Sequence, residues 1–151
     1  MVVAILLLIP VAHAANVEIG RPHIVFLSDT AAAIACKSVS RRACTTMNTL
    51  FICACARAGD EWTVRTRLTA TPFVYATSQT ILKHEMEHVS DIASSLNEYA
   101  DSLTLHTFTT EETCLSFINS EVKLFPHTLK LIQRLTTIKR DGVQFASRPG
   151  E

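Results

Sequence analysis

Residues 78–103 read SQTILKHEMEHVSDIASSLNEYADSL, and this segment sets the architecture of the chain. Its apolar residues recur three and four positions apart, which is the spacing of one face of an α-helix. They are Ile81, Leu82, Met86, Val89, Ile92, Leu96, Tyr99 and Leu103. Thr77 or Ser78 can cap the start of this helix. We therefore predict a long amphipathic helix that ends near Leu103.

Within this helix, His84-Glu85-Met86-Glu87-His88 has the form H-E-x-x-H. Residues four apart lie on the same helix face, so the imidazoles of His84 and His88 can bind one zinc ion. The glutamate between them can act as general base on a zinc-activated water. The pattern predicts His84 and His88 as metal ligands and Glu85 as the catalytic residue.

These five residues resemble the motif of the zincin zinc metallopeptidases. The size and layout of the chain are also similar to those of a poorly characterised group of small secreted bacterial proteins predicted to be zinc proteases. The resemblance implies hydrolysis of peptide bonds, Zn²⁺ as cofactor, and a peptide or protein substrate. It covers residues 84–88 alone and names no third ligand. The alternative is a secreted helical domain that binds zinc or a partner and has no hydrolytic activity.

A catalytic zinc site needs a third protein ligand. Asp91 lies three residues after His88 on the same helix face. Its carboxylate could bind the metal directly, or it could orient His88 from outside the coordination shell. Glu98 lies on the same helix but too far along its axis, so it ranks last among the candidates.

Two further candidate ligands lie on the next predicted helix. If that helix packs antiparallel after a turn near residues 104–109, the motif faces residues 125–129. His127 is then level with the two histidines, and Glu121 is one or two turns away. The third ligand is therefore open among His127, Asp91 and Glu121.

The segments before the motif helix predict a small sheet. His23–Leu27 and Leu50–Ala56 are short apolar runs, and Trp62–Leu68 alternates between apolar and polar residues. Ala58-Gly59-Asp60 is a turn signal that would join the last two as a hairpin. Thr63–Leu68 could then serve as a sheet edge along which a substrate adds as a strand. Thr71-Pro72 ends the strand pattern, and the Ala-rich residues 30–39 predict a helix.

The C-terminal part predicts a second long helix. Thr109 to Glu112 form a capping box, and Asp141-Gly142 ends the helix. Pro126 should kink this helix or divide it. We therefore predict an α+β fold, in which a small antiparallel sheet precedes the H-E-x-x-H helix and an antiparallel C-terminal helix kinked at Pro126.

Length and charge limit the kind of protein further. A chain of 151 residues predicts a single domain, which we place at residues 15–146, with a flexible tail at residues 147–151. The formal net charge of +0 gives no electrostatic basis for a nucleic-acid partner. Val2 to Val11 is apolar and Ala12-His13-Ala14 is a cleavage signature, so residues 1–14 predict a signal peptide. A secreted or periplasmic protein follows, without a stable membrane span after removal of the signal.

Five cysteines follow the predicted signal peptide: Cys36, Cys44, Cys53, Cys55 and Cys114. In an oxidising compartment this number predicts two disulfides and one remaining thiol. The spacing does not determine which cysteines pair, although we expect Cys53 and Cys55 not to pair with each other.

Overall fold

The computed structural model describes residues 15–37 and 41–142. Within these ranges the chain forms five strands and three helices. In chain order they are β1 (Asn16–Ile19), β2 (His23–Phe26), α1 (Asp29–Ala35), β3 (Ala43–Ala58), β4 (Glu61–Ala76), α2 (Gln79–Thr104), β5 (Thr107–Phe108) and α3 (Glu111–Asp141). The predicted signal peptide and the tail at residues 147–151 lie outside the described residues.

The hairpin of β3 and β4 is the centre of the sheet. The two strands pair antiparallel over their full length, from Ala43 opposite Ala76 to Ala58 opposite Glu61. Gly59, in the turn between them, has a φ of 64° that favours glycine. The predicted hairpin is confirmed, and each of its strands is longer than its most apolar stretch indicated.

Three short strands share the other edge of β4. From one end to the other they are β5, opposite Trp62 and Thr63, then β1 and then β2. Both β1 and β2 run parallel to β4. The prediction of an antiparallel sheet is therefore wrong, although the α+β class, with the long helices after the sheet, is confirmed. Sequence patterns identified β2, β3 and β4 but not β1 or β5, and they carried no signal for the direction in which distant strands pair.

Pro72 does not end the strand pattern as predicted, because β4 continues to Ala76. On one side, β4 pairs with β1 up to Ala70 and with β2 from Phe73. Pro72 falls in the gap between these two strands, where a residue without an N–H removes no hydrogen bond from that edge. Strand β4 can therefore carry a proline although it lies in the middle of the sheet.

The two long helices cover one face of the sheet. Side chains alternate along a strand, and the even-numbered residues of β4 from Val64 to Ala76 are buried. The main core cluster joins β3, β4, α2 and α3 through Met47, Leu68, Ala70, Val74, Val89, Ile92, Leu96 and Phe125. Ser78 caps α2 through its side chain, which accepts a hydrogen bond from the Ile81 N–H. The apolar stripe of the motif helix is thus the face that packs on the sheet.

Helices α2 and α3 pack antiparallel. The end of α2 meets the first half of α3, where Tyr99 donates a hydrogen bond to Glu121, and the start of α2 meets Asp141. Helix α3 runs through Pro126 without interruption, so it is not divided there. Its cap is Thr110, one residue later than the Thr109 predicted.

Two disulfides and one free thiol form among the five cysteines, as predicted. Cys36 pairs with Cys44, which joins the end of α1 to β3. Cys55 pairs with Cys114, which joins the hairpin to the first turn of α3, and Cys53 remains free. Paired cysteines are consistent with the predicted secretion. No helix in the described part of the chain is both long enough and apolar enough to cross a membrane.

Candidate metal centre

Helix α2 presents His84 and His88 on one face, one turn apart. Their ring centroids are 4.8 Å apart and the rings meet edge to face at 87°. The side chain of His84 is 45% exposed, whereas that of His88 is 6% exposed. The pair therefore lies where the protein interior meets solvent, so a ligand ion could be held by the protein and still be reached from outside.

Asp141, the last residue of α3, completes the group. Its Oδ1 lies 2.7 Å from Nε2 of His84 and 3.2 Å from Nε2 of His88. The ligand atoms of all three residues lie within 4.8 Å of one another. Tetrahedral ligands about 2 Å from a zinc ion are roughly 3.3 Å apart, which the 3.2 Å contact of His88 matches. His84 and Asp141 are hydrogen-bonded to each other at 2.7 Å, so side-chain rotations would have to open this group before it could surround an ion. Two imidazoles and a carboxylate, with room for a further ligand, are a donor set that catalytic zinc sites use.

Glu85 is buried beside this group and is held by the sheet. The hydroxyl of Thr45 on β3 donates a hydrogen bond of 2.7 Å to Oε2 of Glu85. Only 7% of Glu85 is exposed, which is unusual for a carboxylate. Thr45 therefore fixes one oxygen of Glu85.

One cavity of about 360 Å³ joins these groups. Its walls are the start of β3 with the two residues before it, the first half of α2 and the last turns of α3. The residues that line it are Arg41, Arg42, Ala43, Cys44, Thr45, Ile81, His84, Glu85, His88, Ile92, Gln133, Thr137 and Asp141. A cavity of this size can hold a few atoms on either side of a peptide bond.

The four residues considered from sequence as third ligand lie outside this group. Glu121 accepts a hydrogen bond of 2.9 Å from Tyr99, near the far end of α2. His127 is exposed and is not part of the group, and Glu98 is also exposed. Asp91 forms an ion pair with Arg140.

Asp91 does not orient His88 either. Nδ1 of His88 is buried and has no hydrogen-bond partner within the described residues. Zinc-binding histidines usually donate this second N–H to a carboxylate or carbonyl, so the site departs from that pattern. The hydrogen bonds from Arg140 instead lower the pKa of Asp91 below its ordinary value.

The free thiol is not suited to metal binding. Burial, with a further contribution from the Glu121 carboxylate, raises the pKa of Cys53 to about 11. A thiol with this pKa stays protonated at neutral pH, whereas metals bind the thiolate. Its neighbour Cys55 is held in a disulfide.

The segment predicted to bind substrate along its edge, Thr63–Leu68, is paired with other strands. Thr63–Leu68 belongs to β4, which pairs with β3 on one side and with β5 and β1 on the other. Among the described residues, only 64–66 lie between β5 and β1 without a partner strand on that second edge. Within the described residues, β3 pairs with β4 alone, and it is β3 that carries Thr45 into the cavity.

The sequence did contain a signal for Asp141. The carbonyl ends of a helix carry partial negative charge, which disfavours an acidic residue in the last turn. Asp141 occupies that position beside the basic Lys139 and Arg140. An acidic residue there indicates a partner elsewhere, which in this fold is the pair of histidines.

Comparison of the chain with protein-family models, with curated proteins and with solved structures gave no match in any of the three. The functional assignment therefore depends on the geometry of the site.

Proposed function

We propose that this protein is a zinc-dependent metallopeptidase. The observation that supports this best is that Asp141 joins His84 and His88 in one cavity, beside the buried carboxylate of Glu85. Asp141 lies 53 residues after His88 and is not part of the motif. If the two histidines of the helix did not form a site, there would be no need for a carboxylate from a different helix to lie within about 3 Å of their nitrogens.

Each residue has a role in this proposal. Zn²⁺ in a site of this kind supplies a Lewis acid that makes water nucleophilic at neutral pH. Glu85 takes the proton of the attacking water and gives it to the leaving nitrogen, as the carbon–nitrogen bond breaks. The products are a carboxylic acid and an amine. Thr45 keeps the carboxylate of Glu85 turned toward the cavity.

Metal analysis and hydrolysis, measured on the same sample, test this proposal. We expect about one zinc ion per chain at neutral pH, as three ligands and an open position imply. We also expect the protein to cleave peptides of a mixed library, as monitored by mass spectrometry. Cleavage should stop when 1,10-phenanthroline is added and return when zinc is restored. The library should include peptides with acidic side chains, because Arg41 and Arg42 line the cavity.

The results separate the two candidate functions. A chain that binds no zinc would contradict both the metal site and the activity. Zinc bound at one equivalent without cleavage of any peptide would reject the peptidase and indicate a non-catalytic zinc-binding domain.

The contact between Thr45 and Glu85 gives a smaller prediction. Thr45→Val removes the hydroxyl while keeping the shape of the side chain. A hydrogen bond to a charged group contributes about 1.5 kcal/mol, so we expect kcat/KM to fall about tenfold. Zinc affinity should not change. Thr46→Val is the matched control, because Thr46 is exposed on the opposite face of β3. Equal effects of the two substitutions would show that Thr45 does not position Glu85.

A further inference from the structure

The candidate ligand Asp141 is in an unfavourable place for a metal ligand. It is the last residue of α3, and helix ends fray. Gly142 follows it with a φ of 80°, and its N–H bonds to the Ile138 carbonyl at 3.0 Å, which closes the helix. This cap orders the backbone but does not hold α3 against α2. A separate contact must keep the carboxylate at the histidines.

Arg140, the residue before Asp141, supplies that contact. Its Nε and Nη2 bond to the two carboxylate oxygens of Asp91 at 2.5 and 3.0 Å. Its Nη1 bonds to Oε2 of Glu87 at 2.7 Å. Glu87 precedes His88 and Asp91 follows it by three residues. One guanidinium therefore joins the last turn of α3 to the turn of α2 that carries His88.

This contact differs from an ordinary surface ion pair. Isolated surface pairs contribute little, because solvent screens them and flexible side chains must be ordered. Here the geometry is bidentate to Asp91, and a second carboxylate uses a third N–H of the same group. The side chain of Asp91 is 17% exposed, that of Arg140 28% and that of Glu87 46%, so the contact with Asp91 is the more shielded of the two. Bidentate geometry and a shared network are the conditions under which such pairs matter.

We propose that Arg140 is a positioning residue, which with Asp91 and Glu87 holds Asp141 at the two histidines and thereby sets the affinity for metal. This inference rests on the proposed zinc site. None of the three residues belongs to the group formed by His84, His88 and Asp141. They fix the distance between the ligand at the end of α3 and the ligands on α2, because Arg140 and Asp141 are consecutive in one helical turn.

Zinc titration against a chromophoric chelator tests the proposal with the full chain. Replacing a group that orients a metal ligand typically weakens metal affinity 10- to 100-fold. We expect a loss in that range for Arg140→Gln and, independently, for Asp91→Asn. The double variant should lose no more than the larger single loss, because both changes break the same contact. Arg134→Gln is the control for charge, since Arg134 is exposed on the same helix.

The thermal midpoint of each metal-free variant is the second measurement. The proposal expects zinc affinity to fall by far more than any change in that midpoint explains. Wild-type affinity in both Arg140→Gln and Asp91→Asn would overturn it. The proposal would also be overturned if each loss of zinc affinity were fully explained by the lower thermal midpoint of that variant, because a general structural role predicts that outcome. A wild-type chain that binds no zinc would instead reject the proposed zinc site itself, so the two failures are distinguishable.

Discussion

Glu85→Gln is expected to abolish hydrolysis and to leave zinc binding intact. Glutamine has nearly the same shape as glutamate, and its amide oxygen can still accept the hydrogen bond from the Thr45 hydroxyl. It cannot, however, take a proton from water. General base catalysis contributes about 10²- to 10⁴-fold, so kcat should fall at least about a hundredfold. Peptide cleavage and zinc titration of the same preparation measure both quantities.

Glu98→Gln is the matched control for this substitution. Glu98 is exposed on α2 and lies outside the cavity. Glu98→Gln should leave both peptide cleavage and zinc affinity as in wild type. If Glu85→Gln retained full activity, Glu85 would not be the general base, even with zinc in place.

Asp141→Asn is expected to weaken zinc binding more than any substitution outside the ligand group. Removing the carboxylate charge leaves two histidines on one helix, and the loss should exceed the hundredfold that marks the upper end for orienting residues. Competition titration with a chromophoric chelator measures it. His88→Ala should have an effect of the same order, since its Nε2 lies 3.2 Å from Asp141.

His127→Ala is the control that separates the structure from the expectation based on sequence. His127 is exposed and lies outside the group formed by His84, His88 and Asp141. The His127→Ala variant should therefore bind zinc with the affinity of the wild-type chain. If zinc affinity were lost in His127→Ala and kept in Asp141→Asn, the proposed zinc site of His84, His88 and Asp141 would be contradicted.

The motif helix could be predicted because its signals are local. Apolar spacing, a serine cap and the positions of His84 and His88 all lie within residues 78–103. The hairpin also has local signals, since Gly59 sits between two apolar runs. In both cases a short stretch of sequence contains the physical cause of the structure.

The position of Asp141 at a helix end indicates a partner elsewhere, but its pairing with the two histidines could not be predicted, because that pairing depends on how two helices align. A tight turn after α2 would place residues 125–129 opposite the motif. The connection is instead extended, and its residues Thr107 and Phe108 pair with β4. Helix α3 therefore begins beside the hairpin, where Cys114 bonds to Cys55, and its end rather than its middle reaches the histidines. The sequence predicts Asp141 only as the end of a helix and not as a metal ligand.

The presence of β1 and the parallel direction of β2 could not be predicted for a related reason. Parallel pairing needs a long connection, and the partner of Asn16 is Arg67, about fifty residues later. Alternation in sequence shows which face of a strand is buried but not which strand it joins.

The shared edge of β4 has a consequence for how the chain acquires its structure. Strands β1 and β2 leave the ribosome before β4 exists, so they must wait for their partner during synthesis. The hairpin can close quickly because its strands are adjacent, whereas pairings across about fifty residues require a slow search. Pairing does not bury β2, because Ile24, Val25 and Phe26 are still 45%, 40% and 50% exposed in the folded chain. The N-terminal strands therefore make the strand pairings of greatest sequence separation in the sheet, and these are the pairings expected to form last.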